Sequence, residues 1–355
     1  MSTKQEKIES FNPNDSAQAE NNIFGLPFNY DESEIIILPL PWEVTVSYHA
    51  GTAEGPSAVF EASGQVDLYD PLVKDAWKIG IYMPPIRDDW RTSGRELRSL
   101  SVRLIALLNS GVSEKEFSKL EYLQKEINAG CEKFKKEVKS AASEILSSGK
   151  LLVGLGGDHS TPLGILEAVG EHYGDFGILQ FDAHADLRNS FEGFIYSHAS
   201  IMYNAIKIKE VNKLVQVGIR DYCQEEVDLI NSSGGKIYTK FDREIKHDLY
   251  KGKSRKEIFE KIIDQLPEKI YLSLDIDALD PKLCPHTGTP VAGGFETEEI
   301  LFFLEMVVDA GKKIVAMDLN EVGHHEWDAN VGARLLYRLC NILALSNGRA
   351  KKIEQ

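Results

Sequence analysis

The sequence predicts an α/β fold, a three-layer α/β/α sandwich around a mainly parallel sheet, and three observations carry that expectation. Seven short runs are β-branched or aliphatic and nearly continuous in hydrophobicity, as strands buried on both faces of a parallel sheet are. Amphipathic stretches of helical length lie between them, and a strand-then-helix order implies right-handed crossovers with helices on both faces. The 355 residues, 43% of them hydrophobic, can build one substantial core.

Taken in order, residues 1–22 are rich in Asn, Ser, Glu and Gln and read as a flexible or loosely docked tail, with residues 23–355 as a single domain. "EIIILPLP" (34–41) is the first strand, and helical patterns follow at 92–110 and 114–148. "LLVGLGG" (151–157) precedes a helix at 160–171, and "FGILQFDAH" (176–184), "LVQVGIR" (214–220) and "KIYTKFD" (236–242) come next. A helix at 252–266 leads to "KIYLSLDID" (269–277), one at 297–310 to "KIVAMDLNEV" (313–322), and a last helix covers 328–346. No Pro/Gly/Ser-rich linker, fixed-period repeat or low-complexity tract interrupts this order.

Composition narrows the function classes. With 40 basic against 55 acidic residues the formal charge is −15, which argues against a nucleic-acid partner and mildly favours cationic small molecules. The cysteines Cys131, Cys223, Cys284 and Cys340 are scattered without CxxC pairing, so neither a disulfide framework nor a zinc knuckle is expected. No stretch approaches the roughly 20 apolar residues that span a bilayer, and the N-terminus has no signal-type apolar run. The expectation is a cytoplasmic protein with no membrane partner.

In open parallel sheets the working groups collect beyond the carboxyl ends of the strands. There this chain delivers Asp158 and His159, then Asp182, His184 and Asp186, then Asp275 and Asp277, and finally Asp318 and Glu321. Alternation along an extended chain sends Asp182, His184 and, if the extension persists, Asp186 to one side, and likewise Asp275 and Asp277. So many carboxylates in one place would repel one another, and a cation is the natural remedy. An oxygen-rich, nitrogen-containing, sulfur-free set favours a hard metal of high coordination such as Mn²⁺, with two ions bridged by shared carboxylates. Each element alone also suits a cap or turn, and Asp280 in "DIDALDP" reads as structural. Their coincidence on one sheet edge favours the metal reading.

"GGDHS", "FDAHADLR" and "SLDIDALDP" resemble the three signatures of the ureohydrolases, the family of arginases, agmatinases, guanidinobutyrases and formiminoglutamases. The resemblance runs from "SYHAGTAEGPSAVFEAS" (47–63) to "EVGHHEWDANVGARLLYRL" (321–339) and is thin before residue 25 and over 92–148. It implies two Mn²⁺ per subunit, one held by His159, Asp182, Asp186 and Asp275 and the other by Asp182, His184, Asp275 and Asp277, with a hydroxide between them. It also implies that Asp186 serves the departing amine. His198 in "YSHAS" matches the family's proton-shuttling histidine, expected to titrate near neutrality, and Glu321 in "NEV" matches its guanidinium-binding glutamate. Without a role in the site, His198 would start a helix after Ser197, and Glu321 would be a solvated carboxylate or a partner of Arg334. His324 and His325 read as surface-loop residues, and His49 has no assigned role.

Substrate choice rests on what meets the end away from the guanidinium. Arg188 and Asn189 are possible donors to an anion, yet "DLRNSFEGFIYSHAS" and "LVQVGIRDY" look most like prokaryotic agmatinases. The resemblance therefore implies hydrolysis of a small cationic guanidino substrate, agmatine first, to urea and an amine. Arginase, guanidinobutyrase, guanidine hydrolase and formiminoglutamase are the alternatives, and a metal-dependent deacetylase or phosphoesterase is the alternative from another class. Arg188 would contact substrate with Glu321 and His198, and a trimer or hexamer is expected from the family.

Overall fold

The computed structural model describes residues 3–17, 21–111 and 114–354. After helix α1 (Lys4–Ser10) the chain enters β1 (Ile35–Leu40), α2 (Gly55–Ser63), β2 (Ile81–Tyr82), α3 (Asp88–Ser110) and α4 (Glu114–Ser147). The second part runs β3 (Leu151–Gly156), α5 (Leu163–Tyr173), β4 (Phe176–Phe181), α6 (Ile201–Ala205), β5 (Val211–Val217), α7 (Gln224–Ser232), β6 (Ile237–Lys240), α8 (Asp242–Tyr250) and α9 (Arg255–Ile263). It closes with β7 (Lys269–Asp275), α10 (Thr297–Asp309), β8 (Lys313–Asn320) and α11 (Glu326–Ser346).

All eight strands pair in parallel, in the order β2-β1-β3-β8-β7-β4-β5-β6. The seven anticipated runs all became strands. Their continuous hydrophobicity is explained by the two cores, one on each face. Ile35, Val153, Leu179, Leu272 and Leu319 pack against α2, α9, α10 and α11, while Ile36, Leu152, Ile178, Tyr271 and Ala316 pack against α3, α4, α5 and α6. This is the three-layer sandwich. No helix among the described residues is long and apolar enough to cross a membrane.

The sequence reading passed over β2, an edge strand of two residues, and the short helices α2, α6, α7 and α8. The polar stretch expected as a tail contains α1, with a capping box between Thr3 and Glu6. Lys4 Nζ donates to the Ile79 carbonyl at 2.8 Å, Lys7 pairs with Glu32 at 2.6 Å, and Phe11 packs on Trp77.

The two crossovers out of the middle of the sheet, β3 to α5 and β4 to α6, carry the residues that matter next. β3 ends in Gly156 and Gly157 follows it; an added Cβ would fall 1.8 Å from Asn320 Oδ1 at the first and 1.9 Å from the Trp42 carbonyl oxygen at the second. Only glycine admits that approach. It lets the Asp158 N–H reach the Trp42 carbonyl at 2.8 Å and presents His159 over the ends of β4 and β7.

Candidate metal centre

Strand register decides which side chains meet. Asp182 follows β4, Asp275 ends β7 and His159 follows β3, which β8 separates from β7, so three segments within four successive strands of the sheet discharge onto one spot. His159 Nδ1 lies 2.9 Å from Asp182 Oδ2, 3.1 Å from Asp186 Oδ2 and 3.3 Å from Asp275 Oδ2, all of them buried. His184 Nδ1 lies 3.0 Å from Asp277 Oδ2 and 3.6 Å from Asp182 Oδ1. Two groups with metal-ligand spacing result, His159/Asp182/Asp186 and Asp182/His184/Asp277, and Asp182 is common to both. All six expected ligands converge.

The hydrogen bonds around His159 test whether a cation fits. Ser273 donates its hydroxyl to Asp318 Oδ1 at 3.0 Å, so at 2.9 Å it must accept from His159 Nε2–H. With Nε2 committed to Ser273, Nδ1 is the buried nitrogen left facing three carboxylates, where it takes a second proton without a cation and offers its lone pair to one. A cation resolves the repulsion among those carboxylates, and a histidine whose second nitrogen donates to a carboxylate-backed group is the usual metal-ligand arrangement. Asp318, counted by sequence among the strand-end groups, lies one level below the ligands and acts through Ser273.

The same crowding displaces the protonation equilibria. Burial, then the charges of Asp277 and Asp182, raise Asp275 well above the carboxylate range, and burial with Asp182 pushes Asp186 up to about 7. Burial alone would raise Asp182, but hydrogen bonds from His159 and His184 hold it low. Burial opposes charge on the two imidazoles, yet their carboxylate neighbours raise both well above the ordinary value. Such a donor set holds protons where divalent cations would bind.

Glu321 stands beside this cluster. Its Oε1 accepts from the His159 backbone N–H at 3.0 Å, while Oε2 is buried without a partner. Burial, then the charges of Asp275 and Asp158, raise its pKa well above the usual range. Its backbone occupies the left-handed region (φ 60°), as does that of Asp186 (φ 53°). Strain of this kind persists only where the surroundings impose it. For Glu321 they are its N–H on the Gly157 carbonyl at 2.8 Å and the Thr287 hydroxyl on its own carbonyl at 2.7 Å. For Asp186 they are the Met202 and Tyr203 N–H groups on its carbonyl. Arg334, the alternative partner for Glu321, instead bonds the Gln65 and Asn330 carbonyls on the outside of α11.

A cleft of about 160 Å³ opens beside the cluster, lined by His184, Asp186, Arg188, His198, Asp221 and Thr289 among others. His198 follows the N-cap Ser197 of a single helical turn and is half-buried. Burial, with charge on His184 and His159, lowers its pKa to about 3, well below the near-neutral titration expected from sequence. Arg188 lays its guanidinium 5.1 Å from the Phe191 ring, and Asn189 is exposed and outside the cleft lining. Asp280 is structural, accepting the Lys282 N–H in a turn. His49 is exposed at the rim, its N–H on the Gly288 carbonyl. His324 and His325 are exposed in the loop before α11; His325 caps that helix and stacks on His286, which Asp328 holds through both its N–H and Nδ1. Sequence reading missed Ser273, Thr287, Asp221 and the His286–Asp328 pair. For Ser273 a signal existed, a polar residue inside an otherwise apolar strand.

The Arginase family model matches residues 33–341. An N(1)-aminopropylagmatine ureohydrolase of Thermus thermophilus is 29% identical over 325 residues, 90% of this chain and 93% of that protein. An agmatinase of Bacillus anthracis is 27% identical over 298 residues, 83% and 85% of the two chains. Among solved structures, the agmatine ureohydrolase of Thermoplasma volcanium superposes with a TM-score of 0.67 at 19% identity, covering 97% of this chain and 99% of its own, which shows the shared fold. With a family match over most of its length and the His/Asp clusters described above, the chain belongs to the arginase family and is a ureohydrolase, a hydrolase of C–N bonds in linear amidines.

Proposed function

We propose that this ureohydrolase converts agmatine to putrescine and urea with two Mn²⁺, one held by His159, Asp182, Asp186 and Asp275 and the other by Asp182, His184, Asp275 and Asp277. Bound there, the ions would lower the pKa of water enough to supply a nucleophile at neutral pH. The observation that carries the reading is Glu321: a buried carboxylate with one oxygen on the His159 N–H and the other free, beside the ligand cluster. A planar guanidinium offers that oxygen a charge-assisted hydrogen bond and is thereby aimed at the ligand cluster.

Hydrolysis adds water across the guanidinium carbon and breaks its bond to the alkyl nitrogen, which leaves as an amine. Asp186 passes the first proton of the water to that nitrogen, and the second, released as the urea carbonyl forms, leaves on the same nitrogen as the ammonium, so the step balances without an external acid. His198, neutral at rest, accepts and returns protons at the cleft mouth. For the far end of the substrate, Asp221 stands at the cleft 3.8 Å from His184 Nε2 and Arg188 is engaged with Phe191, which favours a cation over a carboxylate. The relatives named for agmatine and for N(1)-aminopropylagmatine fit that polarity, and the longer amine is the second reading.

The test is product release from Mn²⁺-loaded enzyme with agmatine, N(1)-aminopropylagmatine, arginine, guanidinobutyrate and guanidine, beside N-formiminoglutamate, acetyl-lysine and nitrophenyl phosphate. The highest kcat/KM is expected with agmatine. A preference for arginine or N-formiminoglutamate would reject the cationic far end, and turnover of the last two compounds alone would reject guanidino chemistry.

A further inference from the structure

One level below the ligands, a row of polar residues crosses the sheet. Strand register aligns Thr239 with Gln216, Gln216 with Gln180, Gln180 with Ser273 and Ser273 with Asp318. Partners in parallel register share a face, here the one toward α3–α6, which is apolar lower down at Ile178, Leu214 and Tyr271. Gln180, Gln216, Ser273 and Asp318 are each fully buried. Burying that many polar side chains is costly unless each is satisfied.

The Ser273–Asp318 half of the row sets the tautomer of His159. The other half runs in one direction toward Asp182. Thr239 Oγ1 donates to Gln216 Oε1 at 2.7 Å, Gln216 Nε2 donates to Gln180 Oε1 at 2.7 Å, and Gln180 Nε2 donates to Asp182 Oδ2 at 2.8 Å. Gln216 Nε2 also donates to the Ala185 carbonyl at 2.7 Å. A carbonyl and a carboxylate can only accept, so these two ends fix which way both amides face, and Thr239 must be the donor that starts the chain.

We infer that Gln180, Gln216 and Thr239 are positioning residues that brace the 182–186 ligand loop, setting the affinity of the dinuclear centre through Asp182 and Ala185. This rests on the metal reading proposed above. A carboxylate has about four lone-pair directions. The His184 N–H takes one on Oδ1 at 2.6 Å and Gln180 takes one on Oδ2, which leaves one direction on each oxygen for a separate cation. The Ala185 contact pins the residue just before Asp186, where the backbone is held in the left-handed region.

The test strips metal from the full-length chain and titrates it with Mn²⁺ by calorimetry, with the melting temperature of the stripped protein measured alongside. Gln216→Leu and Gln180→Met are expected to weaken at least one Mn²⁺ by about 10- to 100-fold, the range for groups that orient metal ligands. Thr239→Val is expected to lose severalfold and Thr239→Ser to restore the parental affinity, since it keeps the hydroxyl. Thr239 is only half-buried, so this pair decides the matter if the glutamine variants fail to fold. Parental affinity in Thr239→Val, or a melting temperature that falls while Mn²⁺ affinity stays, overturns the brace. A parent that takes up no Mn²⁺ would overturn the metal reading instead.

Discussion

Glu321 and Asp318 are both buried carboxyls, and their neighbours assign them different work. Glu321 keeps its free oxygen beside the His/Asp cluster, whereas Asp318 takes its bonds from Ser273 and Asn320 on Oδ1 and leaves Oδ2 without a partner one level below. Glu321→Gln keeps the shape and loses the charge, so it is expected to retain bound metal while kcat/KM for the guanidino substrate falls by 100-fold or more, on the order of 3 kcal/mol for a charge-assisted contact. Steady-state kinetics beside elemental analysis checks this; unchanged kcat/KM removes Glu321 from the site. Burial pushes Asp318 up to about 6. The folded chain therefore holds that proton more tightly than the unfolded chain, and the stabilisation is full in acid and lost as pH rises through about 6. Asp318→Asn is expected to make the chelated protein more stable than the chelated parent above about pH 6, with the gap narrowing toward pH 5 in urea denaturation. Parallel curves would contradict it. At this scale the residues of the two His/Asp groups were legible because they follow apolar runs with metal-type side chains. Gln180 and Gln216 were not, since nothing in "FGILQF" or "LVQV" says that two amides face each other across strands.

The strands could be read from continuous apolar runs and the long helices from hydrophobic period, and the short connections from neither. β1 and β3–β8 lie within a few residues of their expected bounds because both faces are covered, which keeps the runs apolar throughout. β2 contributes two residues at a sheet edge, too few to set a pattern. Helix packing leaves its mark at Gly164 on α5, where an added Cβ would sit 2.3 Å from the Lys135 carbonyl and 2.8 Å from the Lys139 nitrogen of α4. Backbone cannot swing aside as a flexible side chain would. Gly164→Ala is expected to force the two helices apart and destabilise the protein by about 1–3 kcal/mol, read as a lower denaturation midpoint at unchanged slope. A stability within 0.3 kcal/mol of the parent, roughly the scatter among neutral sites, would show that the pair is loosely packed.

For the molecule as a whole, folding gathers like charges at the sheet's carboxyl edge, and a cation bound there would be coupled to stability for that reason. Chelation is expected to lower the melting temperature and added Mn²⁺ to restore it, by about 4 kcal/mol per site at a thousandfold excess over Kd. A melting temperature indifferent to chelator would mean that the fold tolerates the bare cluster. The sandwich and the convergence of three strand ends were legible because alternation and strand order place those ends together. The cleft and the rim were not, because they are built from loops at 47–49, 186–198 and 284–289 whose contacts join residues far apart in the chain. The most direct measurement is metal content per chain by elemental analysis for the parent and Asp182→Ala after reconstitution with Mn²⁺. Two ions in the parent and loss of both in the variant are expected, because Asp182 is common to the two groups with metal-ligand spacing. Two ions retained without Asp182 would contradict a shared, dinuclear centre.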